Sequence, residues 1–523
     1  MHGLHTADQV RAAEAAMMRT VGDGVLMRRA AAGLAHHVRE FLGATYGRRV
    51  VLLVGAGDNG GDARLWPAPS CAAGARTSPR CCWRRTARTR PGSPRCAPPA
   101  GGCWPCTPRR PARPRRGRAR RGPGAGGGGG RRRRRDRRDL RARCAARPGP
   151  GAGRRRRRGG VPIVACDLPS GVDCDTGATD GPHVRAALTV TFGCRKPVHA
   201  LAAPLCGPVR LVDFGLGPFL EGTEPHAVGA VRRRRRRPLA GARPRRRQVQ
   251  PGRRRDRRRV GHLPRRRRPR RGAAALATSG MVRFAGSAAD EVRRHWPEIV
   301  ATGDITDAGR TQAWAVGPGL GTGGQGLAVL EEALGREVPL CLDADAITLL
   351  AQHAHLRERI HGEPVVLTPH AGEFARIAGE VGPDRIGAAR RAAADLGVTV
   401  LLKGNATVVA APDGRVLVDP AADSWAATAG SGDVLTGMIG ALLAAGLDPW
   451  WAAGCATLVH ARAATAAARE HGLPPVPAPA SAMQAAIPVA LRAVRAAQAR
   501  TEAAHRRTCA GSGLLAFRAC RRS

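Results

Sequence analysis

A glycine-rich turn that carries a carboxylate precedes an apolar helix in the C-terminal part of the chain. The turn is Gly430-Ser431-Gly432-Asp433, and apolar residues at helical spacing follow it. At a helix N-terminus, free backbone N–H groups and the helix dipole attract anions, and glycines let a phosphate approach the backbone. A carboxylate beside a phosphate is unfavourable unless it handles a proton, so Asp433 is either a catalytic base or only a helix cap.

Four further polar turns follow predicted strands. They are 317–322 after the strand 313–316, 343–345 after 339–342, 368–373 after 365–367, and 403–406 between the strands 398–402 and 407–410. The second of these turns offers two carboxylates, Asp343 and Asp345. Because open α/β sheets bind ligands at the carboxyl ends of their strands, we expect the turns to form one site.

Lysine is rare in this chain. It holds 85 Arg but only two Lys, Lys196 and Lys403, and both lie inside turn motifs. Since the composition disfavours Lys, we expect that a compact ammonium rather than a forked guanidinium is required at these positions. We interpret Lys403 as a phosphate contact, while Lys196 stays open between a functional role and chance.

The C-terminal motifs occur in a recognisable order. They read GPGLG (317–321), LDADAI (342–347), TPHAGEF (368–374), LKGNAT (402–407) and AGSGDVLTG (429–437). Together, over about residues 273–500, they resemble the ADP/ATP-dependent NAD(P)H-hydrate dehydratases of the ribokinase-like superfamily, whose members commonly have Pro where this chain has Ala371.

This resemblance implies roles for individual residues. Gly319, His370 and Asp433 would contact the hydrated nicotinamide nucleotide, and Asp433 would be the base that takes its hydroxyl proton. The implied contacts to the adenine nucleotide are Lys403, Gly404, Asn405, Ala406, Thr407 and Gly432. The implied cofactors of this half are ADP or ATP with Mg²⁺.

The N-terminal half resembles the NAD(P)H-hydrate epimerase domain that is fused to such dehydratases. The motifs that carry this resemblance are DNGGD (58–62), DLPSGVD (167–173), FGCRKP (192–197) and VDFGLG (212–217). They imply that Asp167 is catalytic and contacts the substrate. The other implied substrate contacts are Asn59, Gly60, Gly61 and Asp62. Asn59 and Ser170 would ligate K⁺, a hard cation that suits oxygen donors.

The strand and helix patterns predict an α/β fold with two doubly wound domains, a Rossmann-like epimerase half and a ribokinase-like dehydratase half. The predicted divisions are 1–222 for the epimerase-like domain, 223–272 for a tract over the linker and the start of the second domain, 273–500 for the dehydratase domain, and 501–523 for a tail.

The net charge of +48 is concentrated in two tracts. Residues 64–160 hold 31 Arg and 2 Asp, residues 229–272 hold 22 Arg and 1 Asp, and the remainder has 34 basic and 36 acidic groups. Because such sequences cannot bury a core, we expect little regular structure in them. We interpret both as frame-shifted translation of a GC-rich gene. The alternative is a nucleic-acid-binding insert, but the second tract lacks the aromatic residues that such inserts use for stacking.

The chain is thus predicted to be a lyase fused to an isomerase that repairs hydrated NADH and NADPH. One alternative is a ribokinase-like kinase of a small molecule, which would share the GSGD turn, and another is a polyanion-binding protein that uses the arginine tracts. The N-terminus lacks an apolar signal core and the longest apolar run is short, so a cytoplasmic protein without a membrane segment is expected. We also expect a homo-oligomer, and we do not expect nucleic acid as a partner.

Overall fold

A computed structural model describes residues 2–22, 24–43, 48–51, 76–78, 160–229, 268–277, 280–420, 424–469 and 475–499. In this part of the chain, the main sheet has eight strands. Its parallel part is formed by β10 (Trp314–Val316), β11 (Leu340–Leu342), β12 (Val365–Leu367) and β13 (Thr399–Leu402). Consecutive parallel strands place their carboxyl ends, and the turns that follow them, at one edge.

The other half of the sheet is mixed. β14 (Ala406–Ala410) and β15 (Val416–Pro420) continue from β13 as antiparallel strands. β7 (Ala227–Gly229) is parallel to β15, and β1 (His2–Leu4) is antiparallel to β7. Leu4 is fully buried in the core of this sheet. The first residues of the chain therefore belong to the same sheet as the C-terminal half.

Helices cover both faces of the main sheet. One face is covered by α8 (Gly324–Leu334), α9 (Asp345–Gln352), α10 (Ala354–Ile360), α11 (Ala371–Ala378) and α12 (Arg385–Leu396). The other is covered by α6 (Arg268–Ala277), α13 (Ser431–Ala444), α14 (Pro449–Ala468) and α15 (Ala480–Ala485). Alternate strand residues face the two layers: Leu340 and Leu342 contact the first and Cys341 the second.

A smaller parallel sheet forms the N-terminal half. Its strands are β4 (Val164–Cys166), β5 (Leu188–Phe192) and β6 (Val209–Val212), with β5 in the middle. All five residues of β5 are buried, as is typical of a parallel strand covered on both faces. The neighbouring helices are α1 (Ala7–Met18), α2 (Val25–Leu42), α3 (Val198–Leu201), α4 (Ala203–Cys206) and α5 (Gly217–Leu220).

Two strand pairs lie outside these sheets. β2 (Arg49–Val51) pairs in parallel with β3 (Arg76–Ser78), and β8 (Val282–Ala285) pairs in parallel with β9 (Ile299–Thr302). A short helix, α7 (Ala289–His295), joins β8 to β9.

The predicted α/β fold class is confirmed. Strand β3 lies inside the first arginine-rich tract and the first five residues of helix α6 lie inside the second, where we expected little regular structure. The rest of both tracts is outside the described residues, apart from Gly229 at the end of β7 and Gly160. Strand β1, from the predicted epimerase-like domain, joins the sheet of the second half across the predicted division at residue 222.

No helix in the described part of the chain is long and apolar enough to span a bilayer.

Candidate active sites

An ion pair joins the ends of two parallel strands in the C-terminal half. Asp343 follows β11, Lys403 follows β13, and the Lys403 Nζ lies 2.7 Å from the Asp343 Oδ1. The Asp343 side chain is 3% exposed and the Lys403 side chain 21% exposed. Burial opposes the charge on Lys403, but Asp343 and Glu373 outweigh it and raise the pKa of the ammonium. The site therefore presents a stable cation at the edge predicted for ligands.

Helix α13 brings the GSGD turn to this ion pair. Its N-cap is Gly430, with a positive φ of 84°, so Asp433 is the third residue of the helix and does not occupy the N-cap position. Thr436 Oγ1 donates to the Asp343 Oδ2 over 2.8 Å. A Cβ on Gly432 would lie 3.6 Å from the Asp343 Oδ2 and 3.7 Å from the Lys403 Nζ. The helix start, the ammonium and the buried carboxylate therefore surround one small space, and Asp433 is half-buried beside it.

Glu373 and His370 come from the turn after β12, and Glu373 also lies close to the Lys403 ammonium. The Glu373 Oε2 lies 3.6 Å from the Lys403 Nζ and accepts the backbone N–H of His370 over 2.8 Å. The His370 Nδ1 accepts the N–H groups of Gly372 and Glu373, so this ring caps α11. Its Nε2 then carries the proton and lies 3.3 Å from the Glu373 Oε1, and the His370 side chain is 57% exposed. His370, predicted as a substrate contact, thus also has a structural role.

The GPGLG turn packs directly against Asp343. A Cβ at Gly317, whose φ is 131°, would collide with the Asp343 carbonyl oxygen. Gly319 lies two residues further along the same turn with a φ of 68°. The turn is also held by Asp345, whose Oδ2 accepts the Gly321 N–H over 2.9 Å. The two carboxylates seen in the sequence thus have different partners, an ammonium for Asp343 and a backbone amide for Asp345.

The remaining predicted nucleotide contacts lie along the β13–β14 turn. Gly404 and Asn405 are exposed, Ala406 is buried in the core, and Thr407 is opposite Asp419 of β15. The guanidinium of Arg385 donates to the Lys403 carbonyl over 3.2 Å, and a Cβ at Gly404 would crowd it. The turn is thereby fixed beside the ammonium.

In the N-terminal half, Asp167 forms a second buried ion pair at a strand end. It follows β4 with a positive φ of 65°, and its Oδ1 lies 2.6 Å from the Lys196 Nζ and accepts the Thr191 hydroxyl over 2.8 Å. Burial raises the pKa of Asp167, but the charges of Lys196 and His199 with these hydrogen bonds outweigh it and lower the pKa overall. Lys196, which the sequence left open, is therefore part of this network.

His199 connects the backbones of the two residues of this ion pair. Its Nδ1 accepts the Lys196 backbone N–H over 3.0 Å and its Nε2 donates to the Asp167 carbonyl over 2.8 Å, which fixes the neutral tautomer. Burial, with a contribution from Lys196, lowers the pKa of His199 to about 4. His199 was missed in the sequence, where only its position in the first turn after Lys196-Pro197 could have indicated it.

Ser170 lies three residues after Asp167, and its side chain is exposed. The other predicted ligand of K⁺, Asn59, lies outside the described residues, as do the predicted substrate contacts Gly60, Gly61 and Asp62. Helix α2 carries another group of possible metal ligands on its exposed side. They are His36, His37 and Glu40.

Two family models match the chain. One, described as NAD(P)H-hydrate dehydratase, matches residues 271–487, and the other, described as YjeF-related protein N-terminus, matches residues 23–85 and 152–198. The family match thus extends to residue 85 and resumes at residue 152, so both ends of the tract 64–160, which we interpreted as frame-shifted, lie within matched sequence. Residues 86–151 lie outside both matched ranges.

Curated relatives cover nearly the whole chain. The bifunctional NAD(P)H-hydrate repair enzyme Nnr of Mycobacterium leprae is 43% identical over 510 residues, which are 94% of this chain and 100% of the relative. This chain belongs to the family of bifunctional NAD(P)H-hydrate repair enzymes. The Mycobacterium tuberculosis member of the family is 44% identical over 86% of this chain and 90% of its own length.

Solved structures include an ADP/ATP-dependent NAD(P)H-hydrate dehydratase from Bacillus subtilis. It is 28% identical, covers 43% of this chain and 87% of its own length, and has a TM-score of 0.36.

The contact between Gly317 and Asp343 generates the first prediction. Gly317→Ala forces a Cβ into the Asp343 carbonyl at a positive φ, so it should lower the free energy of unfolding by about 3 kcal/mol or more. Gly303→Ala, at an exposed position with open space around its Cβ and no positive φ, should change it by less than about 0.5 kcal/mol. Urea unfolding of both variants checks this, and equal midpoints would contradict it.

His199 generates a prediction about acid stability. Between pH 6.5 and about 4 the unfolded chain protonates this histidine and the folded chain does not, so stability falls as the pH falls through that window. Gln at position 199 offers a similar donor and acceptor without titrating. His199→Gln should therefore reduce the pH dependence of the unfolding free energy in this window by about 1 kcal/mol per pH unit. The measurement is the urea midpoint at several pH values, with His183→Gln as the control; an unchanged slope would refute the assignment.

Proposed function

We propose that this chain repairs hydrated NADH and NADPH. The C-terminal half removes water from the nicotinamide ring with the help of ADP or ATP. The N-terminal half has the fold and the Asp167 network of the epimerase that interconverts the two epimers at C6, and it would do so once its reading frame is continuous. The observation that supports the dehydratase is the convergence of the Lys403 ammonium, Asp343 and the start of α13 at the carboxyl edge of the parallel strands.

The phosphates of the adenine nucleotide would bind between Lys403 and the GSGD turn. Gly432 leaves room for a phosphate between the ammonium and the amides of the first helical turn. The ammonium and the helix dipole then both stabilise negative charge on the transferring phosphoryl group. Asp343 keeps the ammonium in place from the buried side, so the cation is already positioned before the nucleotide arrives.

The same cluster fits Mg²⁺. Asp343 and Glu373 together carry two negative charges against the one positive charge of Lys403, and a carboxylate with phosphate oxygens is the donor set that Mg²⁺ prefers. These two carboxylates would hold the ion, which would neutralise charge on the phosphates.

Asp433 would act on the substrate rather than on the nucleotide. It lies in the first turn of α13, half-buried, one residue after Gly432. From this position its carboxylate would take the proton of the C6 hydroxyl while the terminal phosphoryl group leaves the nucleotide for that oxygen. Loss of phosphate from C6, together with a proton from the neighbouring ring carbon, would then restore the double bond of the ring. Gly319 and the exposed Nε2 of His370 would contact the nicotinamide nucleotide from the neighbouring turns.

In the N-terminal half, Asp167 would accept a hydrogen bond from the hydrated ring. Lys196 and Thr191 keep its carboxylate ionised and fix one of its oxygens. Ser170 and Asn59 would hold K⁺ close to it; the exposed Ser170 hydroxyl fits an oxygen-ligated cation.

Asp433→Asn tests the base. The substitution keeps the shape of the side chain but removes its ability to accept the proton, so kcat should fall by roughly 10²–10⁴ while the Kd of ADP changes little. Asp448→Asn is the matched control, because Asp448 is the N-cap of the next helix and Asn also caps well. Turnover is followed as NADH formation at 340 nm in the wild type and both variants. Wild-type turnover by Asp433→Asn would remove this residue from the mechanism.

Lys403→Arg tests the need for an ammonium. The planar guanidinium cannot occupy the compact position between Asp343 and Gly432, so the Kd of ADP should rise about tenfold. Arg415→Lys, an exchange within a half-exposed ion pair with Asp413, should leave the Kd unchanged. Titration calorimetry measures both, and equal affinity of Lys403→Arg and the wild type would show that any cation suffices.

The chain as written should show no measurable epimerase activity. Residues 86–151 interrupt the match to the family model between Asp62 and Asp167. Because this segment is rich in arginine, it has few apolar side chains that could form the core of a parallel sheet, and its positive charges repel one another. The assay supplies the R epimer of hydrated NADH, ADP and an excess of an S-specific dehydratase. Recovery of NADH faster than spontaneous epimerisation would contradict the prediction, whereas a gene with a continuous reading frame should restore activity.

A further inference from the structure

A buried histidine on the neighbouring helix contacts the GSGD turn. His460 lies in the middle of α14, is 8% exposed, and places its Nε2 2.9 Å from the carbonyl oxygen of Ser431. A carbonyl oxygen only accepts hydrogen bonds, so the His460 Nε2 carries a proton and donates it. The contact joins two helices that are 29 residues apart in the chain at this point.

The Ser431 carbonyl belongs to the same peptide unit as the Gly432 N–H. Because the peptide group is planar and trans, its C=O and N–H point in opposite directions. Any contact that fixes the Ser431 carbonyl therefore also fixes the direction of the Gly432 N–H. That N–H lies at the helix start, beside the Lys403 ammonium and the Asp343 carboxylate.

This peptide lies in a turn that is rich in glycine. Gly430 has a positive φ of 84°, and Gly432 has no side chain, so the turn contains residues with wide backbone freedom. Because the N-cap residue is a glycine, no side chain caps the first turn, which is held by backbone bonds such as that from the Val434 N–H to the Gly430 carbonyl. His460 adds a side-chain contact from α14 to this turn.

We propose that His460 is a positioning residue of the dehydratase, which aims the Gly432 N–H at the nucleotide phosphate through its hydrogen bond to the Ser431 carbonyl. This inference rests on the proposed function, because it takes the start of α13 as the phosphate site. A hydrogen bond to one end of a peptide unit also polarises the N–H at its other end, which strengthens its bond to an anion.

Burial, with the charge of Lys403, lowers the pKa of His460 to about 4. The imidazole is therefore neutral at physiological pH, so it adds no charge to the phosphate site and acts only through its N–H.

Two substitutions separate the hydrogen bond from the packing. His460→Gln keeps an N–H donor at a similar reach and should hold the Kd of ADP within about twofold of the wild type. His460→Leu keeps much of the volume but removes the donor, and the Kd of ADP should rise about 5- to 12-fold, the upper part of the range for one hydrogen bond. The KM for hydrated NADH should change less than twofold in both, because two of its proposed contacts, Gly319 and His370, lie on other turns and the hydrogen bond of His460 reaches the Ser431 carbonyl, not the Asp433 carboxylate.

Thr457→Val is the matched control. Thr457 lies one turn before His460 on the same helix, is 4% exposed, and donates its hydroxyl to the Ala453 carbonyl of its own helix. The substitution changes a buried hydrogen bond within α14 but leaves the hydrogen bond between His460 and Ser431 in place. The Kd of ADP should therefore stay at the wild-type value even if the melting temperature falls.

The experiment is ADP titration calorimetry and steady-state kinetics on the full chain. Hydrogen exchange at Gly432 with and without ADP is measured on the Gln variant as well, so that a failure of the Leu variant to fold still leaves a test. Protection of this amide by ADP in the wild type and in His460→Gln is expected. No protection in a wild type that binds ADP, or equal affinity in His460→Leu, would overturn the role of His460 and leave the proposed function standing. A wild type that neither binds ADP nor forms NADH would overturn both.

Discussion

The structure of the C-terminal half depends on the ion pair between Lys403 and Asp343. It connects the ends of β13 and β11 across β12, and Thr436 adds α13 through the second oxygen of the same carboxylate. Removing one partner of such a buried pair leaves an uncompensated charge at a cost of about 3–5 kcal/mol. Three elements that are distant in the sequence are therefore kept in register by one carboxylate, and the space that they surround is the proposed phosphate site.

Some elements of this fold could be predicted from the sequence and others could not. The strand Val365–Leu367 matches the predicted bounds, because a continuous apolar run between turns identifies a buried parallel strand. The strand His2–Leu4 was missed, since three residues show no periodicity and its partner is more than 220 residues away. The strands Val282–Ala285 and Ile299–Thr302, the latter partly exposed, were not predicted either.

The candidate site likewise contains residues that could be predicted from the sequence and residues that could not. Gly430–Asp433 and Lys403 were found because small residues at a helix start and a rare lysine are local signals. The pairing of Lys403 with Asp343 spans 60 residues and that of Thr436 with Asp343 spans 93, so both require the topology of the sheet. His460 gave no signal, because a histidine within an alanine-rich helix resembles any buried polar residue.

Both halves use the same local arrangement for a buried carboxylate. Asp167 and Asp343 each follow a parallel strand, and each accepts a lysine ammonium and a threonine hydroxyl. The backbone is strained at both positions, at Asp167 itself with a φ of 65° and beside Asp343 at Ala344 with a φ of 51°. Such strain persists only where the surrounding contacts determine it.

The ion pairs supply those contacts, and they also explain why lysine remains in a chain that otherwise uses arginine. A guanidinium spreads its donors over a plane and needs partners at each of them, whereas a single ammonium can meet one carboxylate oxygen in a space that glycines or a hydroxyl complete. At Lys403 the neighbouring space is left by Gly432, and at Lys196 it is shared with Thr191. The size of the cation, and not only its charge, is therefore the property that these two positions require.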